Sequence, residues 1–226
     1  MSISCIIPFY NEGERLKRTL DIVTLVPDID EIICVDDGST DGVHEYIRQL
    51  FPSIILIRQE VNQGKVAAIA QGVYRATHPT LFLLDADLEG LSTSELSRTI
   101  QRYTRGDIDV LIMGRRSTNW FVRLNRGDII FSGQRIVTKE DVTKTISLKP
   151  KGYQLEIAMN KVLRQQKRRI GALMSTGMTN TYKYKKWGYV GGWYRELAMA
   201  WSLIRFAGIR EYLSQVLTFA KTEITL

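Results

Sequence analysis

Two carboxylates stand one residue apart in Asp85-Ala86-Asp87, directly after the unbroken apolar run Leu81-Phe82-Leu83-Leu84. A continuous apolar run of that length fits a strand buried on both faces. Charges are costly to bury, so the chain must surface at Asp85. In extended geometry the two side chains diverge. A turn at Ala86 would let both approach one hard cation, or let one bind metal while the other accepts from a sugar or ribose hydroxyl. Oxygen ligands suit Mg²⁺ or Mn²⁺, which keep waters and share phosphate oxygens with a nucleotide. Alone, such a pair is more often a solvated turn after a core strand.

Other clusters of polar residues also follow apolar runs. Phe9-Tyr10-Asn11-Glu12 follows Ile3 to Pro8, Asp36-Asp37-Gly38-Ser39-Thr40-Asp41 follows Glu31 to Val35, and Gly114-Arg115-Arg116 follows Val110 to Met113. Ser53 to Ile57 is a further strand candidate. Between the runs lie helical patterns over Glu12 to Leu25, Val43 to Leu50, the stretch opened by Asn62-Gln63-Gly64-Lys65, and Ser92 to Tyr103. Ser39, Thr40 and Asp41 are N-cap candidates for the second of these. Strands alternating with helices imply right-handed crossovers and a mainly parallel sheet. Ligands of such sheets bind beyond the carboxyl ends of the strands, where all four clusters would gather.

Beyond Met113 the pattern weakens. Ser132-Gly133-Gln134-Arg135 suggests a turn, Lys139 to Val142 a short helix, Gly152 to Leu163 a helix, and Ile170 to Thr181 a strand pair. Tyr182 to Tyr189 is a basic-aromatic loop. Trp193 to Phe219 is amphipathic, with Leu197, Trp201, Ile204, Tyr212 and Val216 on its apolar stripe and Gly208 as a break. Its other side holds Arg195, Arg205, Arg210 and Glu211, too charged to span a bilayer. Three uses remain: packing back on the sheet, a dimer seam, or a membrane surface. Lys183, Lys185 and Lys186 would add attraction to anionic lipid.

The 226 residues suffice for an α/β domain with an appendage, and 44% hydrophobic with 24% charged residues is ordinary for a globular protein. Lys and Arg number 31 against 24 acids, a formal charge of +7 that favours polyanionic partners without choosing among them. Met1 to Pro8 lacks the basic leader of a secretory signal, and no apolar stretch is long enough for a membrane span. Cys5 and Cys34 sit in apolar runs and read as core residues, and the isolated His44 and His78 make a zinc site improbable. The expected location is the cytoplasm, at the inner face of the membrane if the acceptor is lipid-linked. Gly64-Lys65 lacks the remaining residues of a P-loop, and neither a dinucleotide fingerprint nor a nucleophile elbow is present.

Taken in order, Ile7-Pro8-Phe9-Tyr10-Asn11-Glu12, Val35-Asp36-Asp37-Gly38-Ser39-Thr40-Asp41-Gly42, Asn62-Gln63-Gly64-Lys65 with Ala68 and Gly72, and Asp85-Ala86-Asp87 closely resemble the family 2 glycosyltransferases with the GT-A fold. The resemblance covers roughly residues 1–115. Gly114-Arg115-Arg116, Ser132-Gly133-Gln134-Arg135 and Gly152-Tyr153-Gln154-Leu155-Glu156 look like the second half of the smaller members, including polyprenyl-phosphate sugar synthases. The resemblance implies a GT-A domain over 1–192, with a nucleotide-sugar half to about 115 and an acceptor half beyond it, then a helical extension over 193–226. It also implies roles. Pro8, Tyr10 and Glu12 would line a nucleoside pocket, and Asp36 or Asp37 would accept from the base. Lys65 would support an anion site at a helix start. Asp87 would be the main ligand of Mg²⁺ or Mn²⁺, with Asp85 sharing the metal or orienting the donor. Arg115, Arg116 and Arg135 would hold phosphates, and Glu156 would serve as base for a hydroxyl acceptor.

The expected activity is transfer of a sugar from a UDP- or GDP-sugar, with a polyprenyl phosphate among the candidate acceptors. A non-catalytic sugar-nucleotide binder and a nucleotidyltransferase are the rivals. The intact carboxylate pair argues against the first, and the missing Gly-rich phosphate loop against the second. No nucleic-acid partner is expected, because the aromatics cluster in Tyr182 to Trp193 and not on a sheet face.

Overall fold

The computed structural model describes residues 1–115, 127–152, 154–175, 177–178, 202–203 and 205–219, and only the backbone of Arg115, Gly127 and Asp128. Five strands and four helices alternate first: β1 (Ile3–Phe9), α1 (Gly13–Val23), β2 (Glu31–Asp36), α2 (Val43–Leu50), β3 (Ile55–Arg58), α3 (Lys65–Arg75), β4 (Thr80–Leu83), α4 (Thr93–Thr104) and β5 (Val110–Arg115). The second half adds α5 (Gly127–Ile130), β6 (Arg135–Thr138), α6 (Lys139–Ser147), α7 (Gln154–Gln165), β7 (Ile170–Ser175) and α8 (Ile209–Thr218).

The strands form one seven-stranded sheet in the order β3-β2-β1-β4-β6-β5-β7. Strand β6 runs antiparallel to both neighbours, and the other pairings are parallel. The sheet is therefore mainly parallel, as the alternation predicts. Strand β6, not expected from the sequence, begins at Arg135, the last residue of the turn expected at Ser132 to Arg135. It carries only Ile136 and Val137 as apolar residues, too short a run to signal a strand in the sequence. Where a strand pair was expected over Ile170 to Thr181, the described part holds only β7.

Apolar residues fill both faces of the sheet. Ile3, Cys5, Ile7, Cys34 and Phe82 pack against α1, α2 and α4. Ile6, Ile33, Val35, Leu81 and Leu83 pack against α3 and α7. This two-sided burial explains why β1, β2 and β4 read as largely apolar runs. Helix α3 lies close because Gly72 has no side chain: a Cβ there would stand 2.5 Å from Ile6 Cγ2. Both cysteines are buried and free.

Helix starts follow local chemistry in part. Ser92 caps α4 by accepting from Glu95 N, and Thr138 caps α6 by accepting from Asp141 N. Helix α2 differs from expectation. Its N-cap is Gly42 at φ 76°, while Asp41 Oδ1 accepts from Val43 N at 3.2 Å.

Helix α8 begins after the break expected at Gly208, where φ is 86°. It packs on α5 and α7. Tyr212 and Val216 join the core, while Ile209, Leu213 and Leu217 are exposed. Leu197, Trp201, Ile204 and the loop Tyr182 to Tyr189 lie outside the described residues. No helix among the described residues is long and apolar enough to cross a membrane.

Candidate active site

Three backbone bonds extend the ladders past the strand ends. Asp37 N donates to Phe9 O at 2.9 Å, Gln59 N to Asp36 O at 2.8 Å, and Leu84 N to Ile6 O at 3.0 Å. They hold the polar clusters after β1, β2 and β4 along one edge. A cleft of ≈ 440 Å³ opens there, lined by Pro8, Phe9, Tyr10, Glu12, Asp37, Lys65, Ala68, Asp85, Ala86, Asp87, Phe131, Gly152 and Glu156. Pro8, Tyr10, Glu12, Asp37, Lys65, Asp85, Asp87 and Glu156, all singled out from the sequence, meet in it.

The chain turns at Ala86. That residue is buried, and its carbonyl accepts from Thr19 Oγ1 at 3.0 Å, which ties the turn to α1. Asp85 and Asp87 consequently both line the cleft. Their surroundings differ. Asp85 Oδ1 lies 2.8 Å from Lys65 Nζ, and its Oδ2 accepts from Gln134 Nε2 at 2.6 Å. Asp87 is partly exposed and enters neither bond.

Lys65 also reaches Glu156 Oε1 at 3.2 Å, so one ammonium bridges two carboxylates, one just after β4 and one on α7. Burial works against its charge, but Asp85 and Glu156 outweigh that and raise its pKa above the ordinary lysine range. Gly133 makes the arrangement sterically feasible. A Cβ at that position would stand 2.8 Å from Asp85 Oδ1 and 2.9 Å from Lys65 Nζ. The second oxygen of Glu156, Oε2, is buried without a hydrogen-bond partner. Such an oxygen at a cleft wall can accept a proton or a hydroxyl hydrogen from a bound molecule.

The adjacent acids after β2 separate cleanly. Asp36 is fully buried beside His44 of α2, with Oδ2 3.2 Å from His44 Nδ1, and its Oδ1 accepts from Ser39 N at 2.7 Å. Asp37 faces the cleft and accepts from Gln63 N and Gly64 N, both at 2.8 Å. Of the two candidates, only Asp37 lines the cleft. Glu12 pairs with Arg15 at 2.8 Å at the cleft's edge.

Arg135, expected to hold a phosphate, lies in the interior behind the cleft. Instead of offering its guanidinium to a phosphate, it is 1% exposed. It donates to Ser132 O at 2.7 Å, Asn160 Oδ1 at 2.6 Å and Ile130 O at 2.9 Å. Burial pushes its pKa down to about 10, while the nearby charges of Glu156 and Asp85 oppose the shift. The side chain of Arg115 and all of Arg116 lie outside the described residues. Gln134, which holds Asp85, and Phe131 and Gly152, which wall the cleft, were not singled out as site residues. Their only signal was their place in or beside the two late motifs.

No cluster of three or more His, Cys, Asp or Glu side chains suited to a metal occurs among the described residues. A hard cation shared with a diphosphate and waters needs only one or two protein carboxylates. Asp87 fits as that ligand. Asp85, already bound to Lys65 and Gln134, fits a secondary place.

The sheet order, the carboxyl-edge cleft and the aspartate pair together define a GT-A protein. Residues 4–178 match the model for "Glycosyl transferase family 2", and the chain belongs to that family. It is 30% identical over 133 residues to a dolichyl-phosphate beta-glucosyltransferase of Trichomonas vaginalis, covering 52% of this chain and 41% of that protein. It is 31% identical over 130 residues to an undecaprenyl-phosphate 4-deoxy-4-formamido-L-arabinose transferase of Edwardsiella ictaluri, covering 54% and 40%. The chain thus spans well under half the length of these curated relatives. Among solved structures, glucosyl-3-phosphoglycerate synthase of Mycobacterium tuberculosis in complex with Mn²⁺ and UDP-glucose superposes with a TM-score of 0.68. That match has 18% identity and covers 93% of this chain and 78% of that one, and it carries the fold alone.

Proposed function

We propose that the protein transfers a sugar from a nucleoside diphosphate sugar to an acceptor by a single displacement assisted by Mg²⁺ or Mn²⁺. The observation that carries this is the convergence of Asp37, Asp85, Asp87 and Lys65 on one cleft at the carboxyl edge of β1, β2 and β4. The names of the family and of the two relatives support a sugar transferase.

In this reading Pro8, Tyr10 and Asp37 receive the nucleoside and Glu12 accepts from the ribose. Asp87 holds the cation, which when bound would offset charge on the departing diphosphate. Asp85, fixed by Lys65 and Gln134, orients the sugar. The acceptor oxygen attacks the anomeric carbon, and that carbon's bond to the diphosphate breaks with its electron pair leaving on phosphate. If the acceptor is a hydroxyl, Glu156 Oε2 takes its proton. An ionised phosphate attacks without a base. A lipid phosphate is supported by the relatives' names, and the orphaned Glu156 oxygen favours a hydroxyl.

Calorimetry with UDP- and GDP-sugars and Mn²⁺ tests the reading. One of them binds, and Asp37→Ala weakens that binding by roughly 1–3 kcal/mol, the scale of a lost hydrogen bond to a charged group. Undiminished affinity in the variant would place the base elsewhere, and tight binding without turnover in wild type would leave a binding module.

A lipid-linked acceptor would be met at a bilayer. Exposed Ile209, Leu213 and Leu217, with Arg205 and Arg210 nearby, support a peripheral membrane contact in preference to a homodimer seam. Co-sedimentation with anionic vesicles that fades with salt is the expected result. No binding at low salt, with a dimer by light scattering, would reverse that preference.

A further inference from the structure

Behind the cleft a chain of buried polar groups runs from α8 to Asp85. It starts at Gln215, fully buried on the inner face of α8. Its Nε2 donates to Ile157 O at 3.1 Å and to Glu211 Oε1 at 2.9 Å, and its Oε1 accepts from Asn160 Nδ2 at 3.0 Å. Asn160 Oδ1 accepts from Arg135 Nη1 at 2.6 Å. Arg135 Nε donates to Ser132 O. Ser132 Oγ shares its proton between Met113 O and Gln134 Oε1, the latter at 2.9 Å, and accepts from Gln134 N at 3.3 Å, while Gln134 Nε2 donates to Asp85. Gln215, Asn160, Ser132 and Gln134 are each 0% exposed, and Arg135 is 1% exposed.

We propose that α8, through Gln215, Asn160 and Arg135, is a positioning element for the Asp85–Lys65–Glu156 cluster, so that docking of this helix sets the geometry of the donor site. The proposal rests on the cleft being the site of transfer.

Three features carry it. The inner links, from Gln215 through Asn160, Arg135 and Ser132 to Gln134, are hydrogen bonds between groups removed from water, where loss of one partner leaves the other unsatisfied and forces the neighbours to move. Arg135 is a buried cation whose bonds above go to two carbonyls and an amide, none of them charged. Its nearest compensation is the field of Glu156 and Asp85, so a change in its place alters the potential at both carboxylates. Helix α8 is also fastened at a second point, by Arg164 of α7 donating to Glu211 Oε1 at 2.8 Å and to Ser214 Oγ at 2.7 Å. The two fastenings bracket helix α7, which carries Glu156. An element that served only to cover apolar surface would need neither of them. Tyr212 and Val216 already supply that contact.

The test compares two variants of one helix. Gln215→Leu removes all three amide bonds at similar volume. Val216→Ala removes apolar packing and leaves the chain of hydrogen bonds intact. Gln215→Asn, one methylene shorter, gives a milder break should the leucine variant be poorly folded. With UDP-sugar and Mn²⁺, the Gln215 variants lower kcat by about tenfold with KM for the donor within about twofold, the cost of a loosened supporting shell. Val216→Ala lowers Tm without that kcat loss. Hydrogen exchange gives a readout that needs no substrate. Segments 84–89 and 131–136 exchange faster in the Gln215 variants and at the wild-type rate in Val216→Ala. Unchanged exchange at 84–89, or equal kcat losses in both kinds of variant, overturns the proposal. A wild-type protein that binds no nucleoside diphosphate sugar would count against the assigned activity, while the exchange result would still decide the coupling.

Discussion

Asp87→Asn lowers sugar transfer by about 100-fold or more while the protein stays folded. The two aspartates of the pair are unequal. Asp85 is held by Lys65 at 2.8 Å and by Gln134 at 2.6 Å, so its charge is already matched within the protein. Asp87 lines the same cleft outside those bonds and is the carboxylate left to meet a cation. Asparagine keeps its shape and removes its charge. The turn does not depend on that charge, because it is fixed by burial of Ala86 and Leu88 and by the bond from Thr19 Oγ1 to Ala86 O. A hundredfold loss corresponds to about 2.7 kcal/mol of barrier, within what a bound cation contributes to a departing phosphate. The measurement is turnover of a UDP- or GDP-sugar across a Mn²⁺ titration, with Tm recorded in parallel. Near-wild-type turnover at limiting Mn²⁺ would remove Asp87 from the metal site.

The first half of the fold was legible because β1, β2 and β4 are buried on both faces. Such strands must be largely apolar, and their ends are polar where they leave the core. Their runs and their acid clusters are the two sides of one constraint. Strand β6 was hidden for the opposite reason. Four residues with two apolar ones, inserted antiparallel between β4 and β5, carry too little pattern to be told from a turn.

Asp36 and Asp37 could not be ranked from sequence because both follow the same run. Alternation along β2 decides: Asp36 turns toward His44 of α2, and Asp37 toward the loop that opens α3. The burial of Arg135 was not legible because an arginine after a polar turn looks the same whether it meets a ligand or the interior. Its acceptor Asn160 and the helix bearing Gln215 lie far along the chain, and no local pattern announces them. Glu156, expected as a base from its place in the late Gly-Tyr-Gln-Leu-Glu stretch, has a side chain only 6% exposed.

Lys65→Met should destabilise the protein by about 2 kcal/mol and raise KM for the donor about tenfold. The ammonium stands between Asp85 and Glu156, and without it two carboxylates face each other across Gly133 with no cation between them. Breaking a buried pair by removing one partner costs about 3–5 kcal/mol, and the 33% exposure of the Lys65 side chain places this case below that range. The pH dependence has a definite sign. Lys65 has its pKa raised in the folded protein, so its contribution is fully present below the ordinary lysine value, roughly 10.4, and is lost only as pH climbs past it. The stability gap between wild type and variant is therefore flat across neutral pH. A double-mutant cycle isolates the pair: Glu156→Gln in the Lys65→Met background recovers part of the lost stability, whereas the same change in wild type does not. Additive losses would mean that the 3.2 Å approach of Lys65 to Glu156 carries no coupling, and the cleft would then have to hold its diphosphate without a charge bridge between the end of β4 and α7.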